Sequence, residues 1–369
     1  MKFIALKRNM EMGLSGNKGE WSELYTFFKL LADGKLYSGD GKLNRYDERW
    51  FPILEIFRDD SPDRNSYKIN AGKKAILIAG KRIELEIPQE RFNNEAEKLL
   101  AFIKELKTTT GINRETERFM EEIDCGRITA KSTDKADIRI VIHNLMNGTK
   151  PELGYSIKSK LGQDSTLINP GGDNTNFIFK ISGISRDNII SVNNEGPFKD
   201  KFELLDSFGA KVDFYGVASQ GFHNNLTMLD LGMERIIAEC LLPYYRGAAK
   251  TIEDAVRIVN EKDPLNIIAN ASQPMYEYKV KQFLLAFALG MTPSRAWQGR
   301  FNANGGFIVV KEDGDIVCYH FFDRNDLEDY LFYNTRFETP SKTRHKFGTI
   351  YEENGEFYMK LNLQVRFKR

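Results

Sequence analysis

The sequence is poor in the residues that build disulfide frameworks and structural zinc sites. Its three cysteines, Cys125, Cys240 and Cys318, lie far apart and form no CxxC pair. Its four histidines are isolated and show no HxxxH spacing. Because such sites require clustered cysteine and histidine, the sequence argues against both and fits a reducing compartment such as the cytoplasm.

Long apolar runs and an excess of one charge are also missing. The N-terminal stretch is interrupted by Lys7, Arg8 and Glu11 before a signal-peptide core could form, and no run approaches the roughly 18 apolar residues of a membrane span. Lysine plus arginine number 53 against 52 acidic residues. We therefore expect an unprocessed cytoplasmic protein, and the net charge does not decide whether it binds nucleic acid.

Alternating helical and strand-like periodicities predict an α/β (α+β) fold with a central mixed β-sheet flanked by helices. Residues 13–36 have the spacing of a helix that ends at Asp33-Gly34. Short β-like runs between 51 and 87 predict a meander, and helical periodicity follows near 94–106 and 115–123.

The second half of the chain is predicted to be largely helical, between two strands and two hairpins. Residues 177–181 favour a strand and 189–192 a weaker one, whereas 199–290 carry mainly helical spacing. Asp313-Gly314 and Asn354-Gly355 are typical of hairpin turns.

A chain of 369 residues is long enough for one large domain or for two or three ordinary ones. We predict an N-terminal helix and meander region in 1–110, a core in 111–200 that carries Asp137 and Lys158, and a helical and hairpin region in 201–369. A single continuous domain is the alternative, since no clear linker separates the three.

The stretch between Asp137 and Lys158 contains the candidate chemistry. Asp137 opens an apolar alternating run, and a later run carries Ser156 and Lys158, which share one face because they are two apart in a strand. If the two strands are adjacent, a carboxylate and a lysine meet as in a metal-dependent hydrolytic centre. The plainer interpretation is a solvated strand edge, with Lys158 and Lys160 facing water.

Two local patches of positive charge favour a polyanionic partner. Residues 127–160 contain seven Lys or Arg against three acidic residues, and residues 340–369 contain the same numbers. Between them, residues 163–177 are dense in hydroxyls, amides and glycines that suit contacts to phosphates and base edges. Either patch alone would be an ordinary charged surface, but together they favour DNA.

Four long strings of the sequence resemble the HpaII-like family of type II restriction endonucleases. The resemblance extends from near the N-terminus to the last residues. The strings are NKGEWSELY (17–25), STDKADIRIVIHN (132–144), LGYSIKSKLGQDSTLINPGGDNTNFIF (153–179) and TPSKTRHKFGTIYEENGEFYMKLNLQVRF (339–367).

The resemblance implies Mg²⁺-dependent hydrolysis of double-stranded DNA at 5′-CCGG by a bacterial cytoplasmic enzyme on a PD-(D/E)XK nuclease core. The nuclease core is then predicted in 111–200, and DNA recognition in 201–369. Asp137 then takes the place of the metal-binding aspartate, and Lys158 that of the motif lysine. Ser156 stands where the wider superfamily usually has Glu or Asp, so either one metal suffices or another acid completes the site. Glu20 is the first candidate for that acid, with helix capping as its plainer role, and Asp134 is the second.

Reading CCGG requires donors to guanine and acceptors for cytosine amino groups. Such donors and acceptors are most frequent in two segments, residues 163–177 after the Lys158 strand and the C-terminal basic segment 340–369. Arg344 is the leading candidate for a DNA contact. The predicted DNA-binding residues are Lys160, Gln163, Ser165, Thr166, Asn169, Asn174, Asn176, Ser341, Lys342, Arg344 and His345.

Two other functions remain open from the sequence. A non-cleaving DNA reader with a degenerate nuclease core would explain Ser156 and the basic patches, but it would not need Lys158 beside Asp137. A structure-specific repair nuclease would share the core without sequence specificity. The resemblance also implies a cytosine methyltransferase that protects the same site. A palindromic site invites a twofold homodimer, although a monomer that cuts each strand in turn gives the same products.

Overall fold

The computed structural model describes residues 13–58, 64–80, 84–129, 136–268, 272–301 and 304–369. The strands are β1 (Ser15–Gly16), β2 (Lys35–Gly39), β3 (Arg45–Arg58), β4 (Asn65–Asn70), β5 (Ala75–Ala79), β6 (Glu84–Pro88), β7 (Gly111–Ile112), β8 (Ile138–Ile142), β9 (Glu152–Ser159), β10 (Thr166–Ile168), β11 (Asn176–Ser182), β12 (Lys211–Val217), β13 (Gly306–Val310), β14 (Ile316–His320), β15 (Thr335–Phe337), β16 (Ile350–Glu353), β17 (Glu356–Asn362) and β18 (Val365–Phe367).

The helices are distributed along the same ranges. They are α1 (Lys18–Asp33), α2 (Gln89–Glu105), α3 (Arg114–Glu122), α4 (Arg186–Asn194), α5 (Phe198–Ser207), α6 (Gln220–Leu229), α7 (Met233–Tyr245), α8 (Ile252–Lys262), α9 (Met275–Ala288), α10 (Arg324–Tyr333) and α11 (Lys342–His345). Among the residues that the structure describes, none of these helices is long and apolar enough to cross a membrane.

The chain divides into two compact units that each combine distant segments. The first unit contains 1–164, 303–327 and residue 369, and the second contains 165–302 and 328–368. The predicted boundaries at 110 and 200 separate regions by function and independent folding. The division into compact units does not test them, so they stay a prediction.

The first unit is built on a nine-stranded mixed sheet. Its order is β2-β14-β13-β9-β8-β3-β4-β5-β6, and β2 also pairs with β3. The pairs β13–β9 and β14–β2 are parallel, whereas β8 and β9 are antiparallel neighbours. The predicted meander therefore extends the same sheet as the two central strands, and the hairpin around Asp313-Gly314 completes it on the other side.

Helix α1 is deeply buried in this unit. Asn17 caps it, with its side chain accepting from the backbone N–H of Glu20, and Gly34 ends it in the left-handed region at φ 64°. Trp21, Leu24 and Phe28 are fully buried in the cluster that also contains the sheet residues. The predicted helix in 13–36 is confirmed, together with its end at Asp33-Gly34.

The second unit has two smaller sheets, ordered β12-β11-β17-β16 and β10-β18-β15. The turn between β16 and β17 has positive φ at both Asn354 (52°) and Gly355 (79°), as the predicted type I′ hairpin requires. The strand predicted at 177–181 is confirmed as β11.

One local prediction in this unit was wrong, and the prediction that 199–290 is largely helical is confirmed with one exception. Residues 189–192 form part of α4 and not a strand, because Ser185 caps a helix whose buried Ile189 and Val192 are three apart. Strand β12 interrupts the region predicted as largely helical, and its pairing with β11 along six registered positions supplies what the local sequence does not signal.

Glycines at the start of β13 let this strand lie close to both of its neighbours. A Cβ on Gly305 would be 2.3 Å from the carbonyl oxygen of Gly154. A Cβ on Gly306, whose φ is 130°, would be 2.0 Å from the carbonyl oxygen of Tyr319. Since both obstacles are backbone atoms, no side chain can move aside to relieve the clash.

We expect Gly306→Ala to lower the free energy of unfolding by about 2–4 kcal/mol, because it combines strained φ with a backbone clash. Urea denaturation measures the change. The matched control is Gly216→Ala on β12, where a Cβ meets no atom within 4 Å. Equal stability of the two variants would contradict the close packing of β13.

Candidate active site

Asp137 is fixed at the entrance of β8 by two bonds to β9. Its backbone N–H donates to the carbonyl oxygen of Tyr155 over 2.9 Å, and its carboxylate Oδ2 accepts from the N–H of Ile157 over 2.7 Å. A short bond to an ionised carboxylate is among the stronger hydrogen bonds in proteins. These two partners flank Ser156, so the aspartate carboxylate is held beside the segment that carries Ser156 and Lys158.

The side chains of β9 alternate between two environments. Tyr155 and Ile157 belong to the buried cluster that packs against α1, whereas Ser156 and Lys158 are partly exposed. In the parallel pairing with β13, Ser156 is in register with Phe307, so these two side chains share a face. The predicted adjacency of the two central strands, with Ser156 and Lys158 on one face, is present in the structure.

Lys158 lies against an apolar surface. Its Nζ is 5.5 Å from the centre of the Phe307 ring, and its register partner on β13 is the buried Val309. Burial of the ammonium lowers the pKa of Lys158 from its ordinary value, and the negative charges of Asp137 and Glu23 oppose that shift. A lysine with a lowered pKa beside a carboxylate is the kind of group that active sites use for proton transfer or charge stabilisation.

Helix α1 brings Glu23 toward the lysine, and it uses Glu20 as a cap. The carboxylate of Glu20 accepts from the backbone N–H of Asn17 over 2.7 Å, which completes a capping box. One residue before Glu23, the Ser22 hydroxyl lies 2.8 Å from that of Ser159 and ties the helix to the end of β9. Glu23 is partly exposed, and its charge acts on Lys158.

The oxygen donors near Lys158 suit a hard divalent cation. Asp137 offers a carboxylate, and Ser156 a hydroxyl on the adjoining strand. Within the described ranges no three His, Cys, Asp or Glu side chains form a cluster. A magnesium-like ion needs only one or two carboxylates when substrate phosphates and water supply its other ligands, so this donor set fits such an ion. Asp134 lies outside the described residues.

Two groups that the sequence did not indicate also support the site. The side chain of Asn304 accepts from the backbone N–H of Gly154 over 3.0 Å, next to the start of β13. Phe307 supplies the ring against which Lys158 lies. The double glycine at 305–306 was the available signal, because adjacent glycines before a β-like run mark a close approach of backbones.

The predicted DNA-contact residues just after β9 divide between the two units. In the first unit, Lys160 donates its N–H to the carbonyl oxygen of Val310, and Gln163 is exposed. In the second unit, Ser165 accepts from Phe367 through its carbonyl, and Thr166 pairs with Arg366 in β10–β18.

In the second unit, Asn176 of the amide-rich segment 163–177 is hydrogen-bonded to the C-terminal basic segment. Asn176 is fully buried, and its side chain donates to the carbonyl oxygen of His345 over 3.0 Å. Asn362 donates to Asn176 over 2.7 Å, so Asn176 supports the basic segment and does not present its amide to solvent. Asn169 is exposed and Asn174 partly exposed.

The C-terminal basic segment forms the short helix α11. Ser341 caps it by accepting from the N–H of Arg344, whose side chain is exposed. Lys342 donates to the carbonyl oxygen of Gly196 over 2.6 Å, and its Nζ is 5.0 Å from the Phe198 ring. Arg344 forms no ion pair with any described residue, so its guanidinium is available to a ligand.

Comparison with known proteins gives one family over nearly the whole chain. A family model described as HpaII restriction endonuclease matches residues 17–367. The type II restriction enzyme HpaII from Haemophilus parainfluenzae is 41% identical over 354 residues, which are 96% of this chain and 98% of that protein. No solved structure matches this chain significantly. The chain therefore belongs to the HpaII restriction endonuclease family and is a type II site-specific deoxyribonuclease.

Proposed function

We propose that this protein hydrolyses double-stranded DNA at 5′-CCGG with Mg²⁺, on a core of the PD-(D/E)XK type. The observation that carries the proposal is the bond from Ile157 N–H to the Asp137 carboxylate, which holds the acid beside the strand segment bearing Ser156 and Lys158. The resemblance of the sequence to its family implies the recognition site.

Asp137 is proposed to hold the metal ion, together with a second acid. Type II restriction endonucleases generally need a divalent metal ion, and hard oxygen donors favour Mg²⁺. When bound, the ion would supply positive charge at the scissile phosphate. The protein contributes the fixed position of the Asp137 carboxylate, which is already hydrogen-bonded and therefore ordered before DNA arrives.

Lys158 is proposed to orient or help deprotonate the attacking water and to stabilise charge on the phosphate. Its contact with Phe307 keeps the amine in an apolar setting, where its charge interacts more strongly than in water. Ser156 is proposed to offer a hydroxyl from the same face. A neutral hydroxyl binds a cation less well than a carboxylate, so the site needs the second acid.

Two glutamates on α1 compete for the role of second acid. Glu20 was proposed from the sequence, and Glu23 is supported by its charge acting on Lys158. We expect Glu23→Gln to reduce the single-turnover cleavage rate about 10- to 100-fold and to lower the pKa of Lys158 further, because one opposing charge is lost. Glu20→Gln should leave the cleavage rate near parental and cost only about 0.3–1 kcal/mol of stability, because glutamine can keep the capping box and only the favourable charge at the helix N-terminus is lost.

Cleavage rates across pH, with thermal melts of both variants, distinguish the two glutamates. A rate loss confined to Glu20→Gln would return the role to Glu20. If the pH profile of the cleavage rate were the same for Glu23→Gln as for the parent, an electrostatic action of Glu23 on Lys158 would be excluded.

Arg344 is proposed to contact DNA from the exposed side of α11. We expect Arg344→Ala to weaken binding by about 1–3 kcal/mol. A base contact should relax one position of the CCGG site, whereas a phosphate contact should weaken all duplexes equally. Binding to duplexes with single substitutions, measured in Ca²⁺ to prevent cleavage, checks the prediction. Arg186→Ala, which removes an exposed arginine paired with Glu352, is the matched control.

A methyltransferase of the same specificity and a cytoplasmic location complete the proposed system. Hydrolysis at a short common site would damage the host genome unless its cytosines were methylated. A twofold homodimer would match the symmetry of the site, with a monomer cutting the strands in turn as the alternative.

Cleavage of paired duplexes tests the proposed function. We expect Mg²⁺-dependent cutting of a duplex with one CCGG, no cutting of a permuted duplex, and loss of cutting when the CpG is methylated. Binding without cleavage would support a DNA reader instead. Cutting that depends on branches or ends would support a structure-specific nuclease.

A further inference from the structure

A second feature of the first unit is a cationic cleft beside the end of β9. The cleft has a volume of about 460 Å³. It is lined by the start of α1 (17–19), the loop after α2 (106–109), the loop after β9 (162–163) and Arg369. No residue in it belongs to the Asp137–Lys158 centre.

The lining side chains carry positive charge without acidic neighbours among themselves. Lys18, Lys107 and Arg369 are the cations, and no lining residue is acidic. Lys18 and Lys107 form no ion pair with any residue in the described ranges. Arg369 donates to the carbonyl oxygen of Gly162 over 2.9 and 3.2 Å, and its nearest acid is Asp164 at 3.9 Å. The cleft therefore favours an anionic ligand.

The cleft is fixed relative to the candidate active site. A Cβ on Gly162 would be 3.3 Å from the backbone nitrogen of Gly19 and 3.4 Å from Cβ of Lys18, so the loop after β9 lies directly on the start of α1. The bond between Ser159 and Ser22 holds the end of β9 to the same helix. Gly162 follows Lys158 by four residues, a separation of at most about 13 Å along an extended chain.

A DNA backbone that passes Lys158 carries further phosphates within this distance, since each strand has one per roughly 3.4 Å of helix axis. We propose that the cleft binds backbone phosphates that flank the scissile one, with Lys18 and Lys107 as the phosphate partners and Gln163 and Arg369 beside them. The assignment rests on the proposed function. It adds a contribution to DNA affinity that does not depend on the base sequence. Its contribution is the same for every duplex.

The salt dependence of DNA binding tests this cleft. Affinities of the parent and of K18Q/K107Q are measured in Ca²⁺ between about 50 and 200 mM salt, for a CCGG duplex and a permuted one. Each lost phosphate contact should make the negative slope of log K against log salt shallower by about 0.9. The slope of the double variant should therefore be about 1.8 shallower than that of the parent. Affinity should fall by the same factor for both duplexes.

Two matched variants control for charge removal and for folding. K68Q/K74Q removes two exposed lysines on β4 and the turn to β5 in the same unit, and it should leave the slope unchanged. K18R/K107R keeps the charges and should retain the parental slope. Circular dichroism verifies that each variant is folded.

An unchanged slope in K18Q/K107Q would overturn the inference, as would an equal loss in K68Q/K74Q. A loss restricted to the CCGG duplex would overturn it as well, because it would indicate base contacts. Failure of the proposed function has a different signature, since the parent itself would then bind both duplexes equally and cleave neither.

Discussion

Replacement of Lys158 by alanine is expected to reduce the single-turnover rate of CCGG cleavage by about 10²–10⁴-fold, while binding to the same duplex changes far less. The lysine amine lies against Phe307, within electrostatic range of the Asp137 carboxylate, in a setting that removes part of its hydration. Charge placed there acts on the scissile phosphate with little screening by water. Quenched-flow cleavage at saturating DNA and Mg²⁺ measures the rate.

The pH dependence of the parental rate gives an independent view of the same residue. Because burial lowers the pKa of Lys158, its titration should appear at a lower pH than that of an ordinary lysine. The same titration should be missing from the residual activity of Lys158→Ala. Lys68→Ala, which removes an exposed lysine on β4, should cleave at the parental rate. Cleavage by Lys158→Ala at the parental rate would contradict the assignment.

Asp137→Asn should lower the cleavage rate by about 10³-fold or more, because the metal ion loses an anionic ligand that is worth several kcal/mol in the transition state. Asparagine has the shape of aspartate and keeps a carbonyl oxygen for the N–H of Ile157, so the junction between β8 and β9 should persist. Loss of the negative charge should also lower the pKa of Lys158 further, since Asp137 is the larger of the two charges that raise it.

Metal affinity separates a ligand from a structural residue at this position. Titration with Mn²⁺ in the presence of a DNA duplex should show weaker binding by Asp137→Asn than by the parent. Thermal melting should remain close to parental. A variant with parental metal affinity and a lower melting temperature would instead make Asp137 a structural part of the strand junction.

The sequence predicted those helices and turns whose caps, apolar spacing and turn residues favour the same structure that tertiary packing stabilises. Helix α1 has a cap at Asn17 and a left-handed end at Gly34, and its apolar spacing faces the core. The hairpin at Asn354-Gly355 follows from turn chemistry alone. The candidate site required the Asp137 and Lys158 runs to be adjacent strands, which alternation alone does not decide, and the structure pairs them as β8 and β9.

Long-range pairing limited what could be predicted of the fold. Nothing local in 305–320 indicates that β13 runs parallel to β9 or that Gly305 lies against Gly154. The meander was expected as a separate region, but its strands continue the central sheet. Strand β12 forms where β11 offers it a partner, within a stretch of otherwise helical spacing.

Long-range packing also limited what could be predicted of individual side chains at the candidate site. Glu20 and Glu23 are both acidic residues near the start of α1, and helical periodicity does not say which one approaches Lys158. The Ser22–Ser159 contact decides how the helix lies on β9. Asn176 was expected to face DNA, yet its position beneath His345 depends on a buried amide network with Asn362.

The most direct measurement is to sequence the ends of a complex DNA after digestion by this protein with Mg²⁺. We predict that all enzyme-dependent ends lie within CCGG and carry 5′-phosphates with short 5′ overhangs, and that Asp137→Asn and Lys158→Ala produce at least about 100-fold fewer of them in the same digestion time. Ends scattered over unrelated sequences, or the same CCGG ends in either variant at the parental rate, would contradict the account.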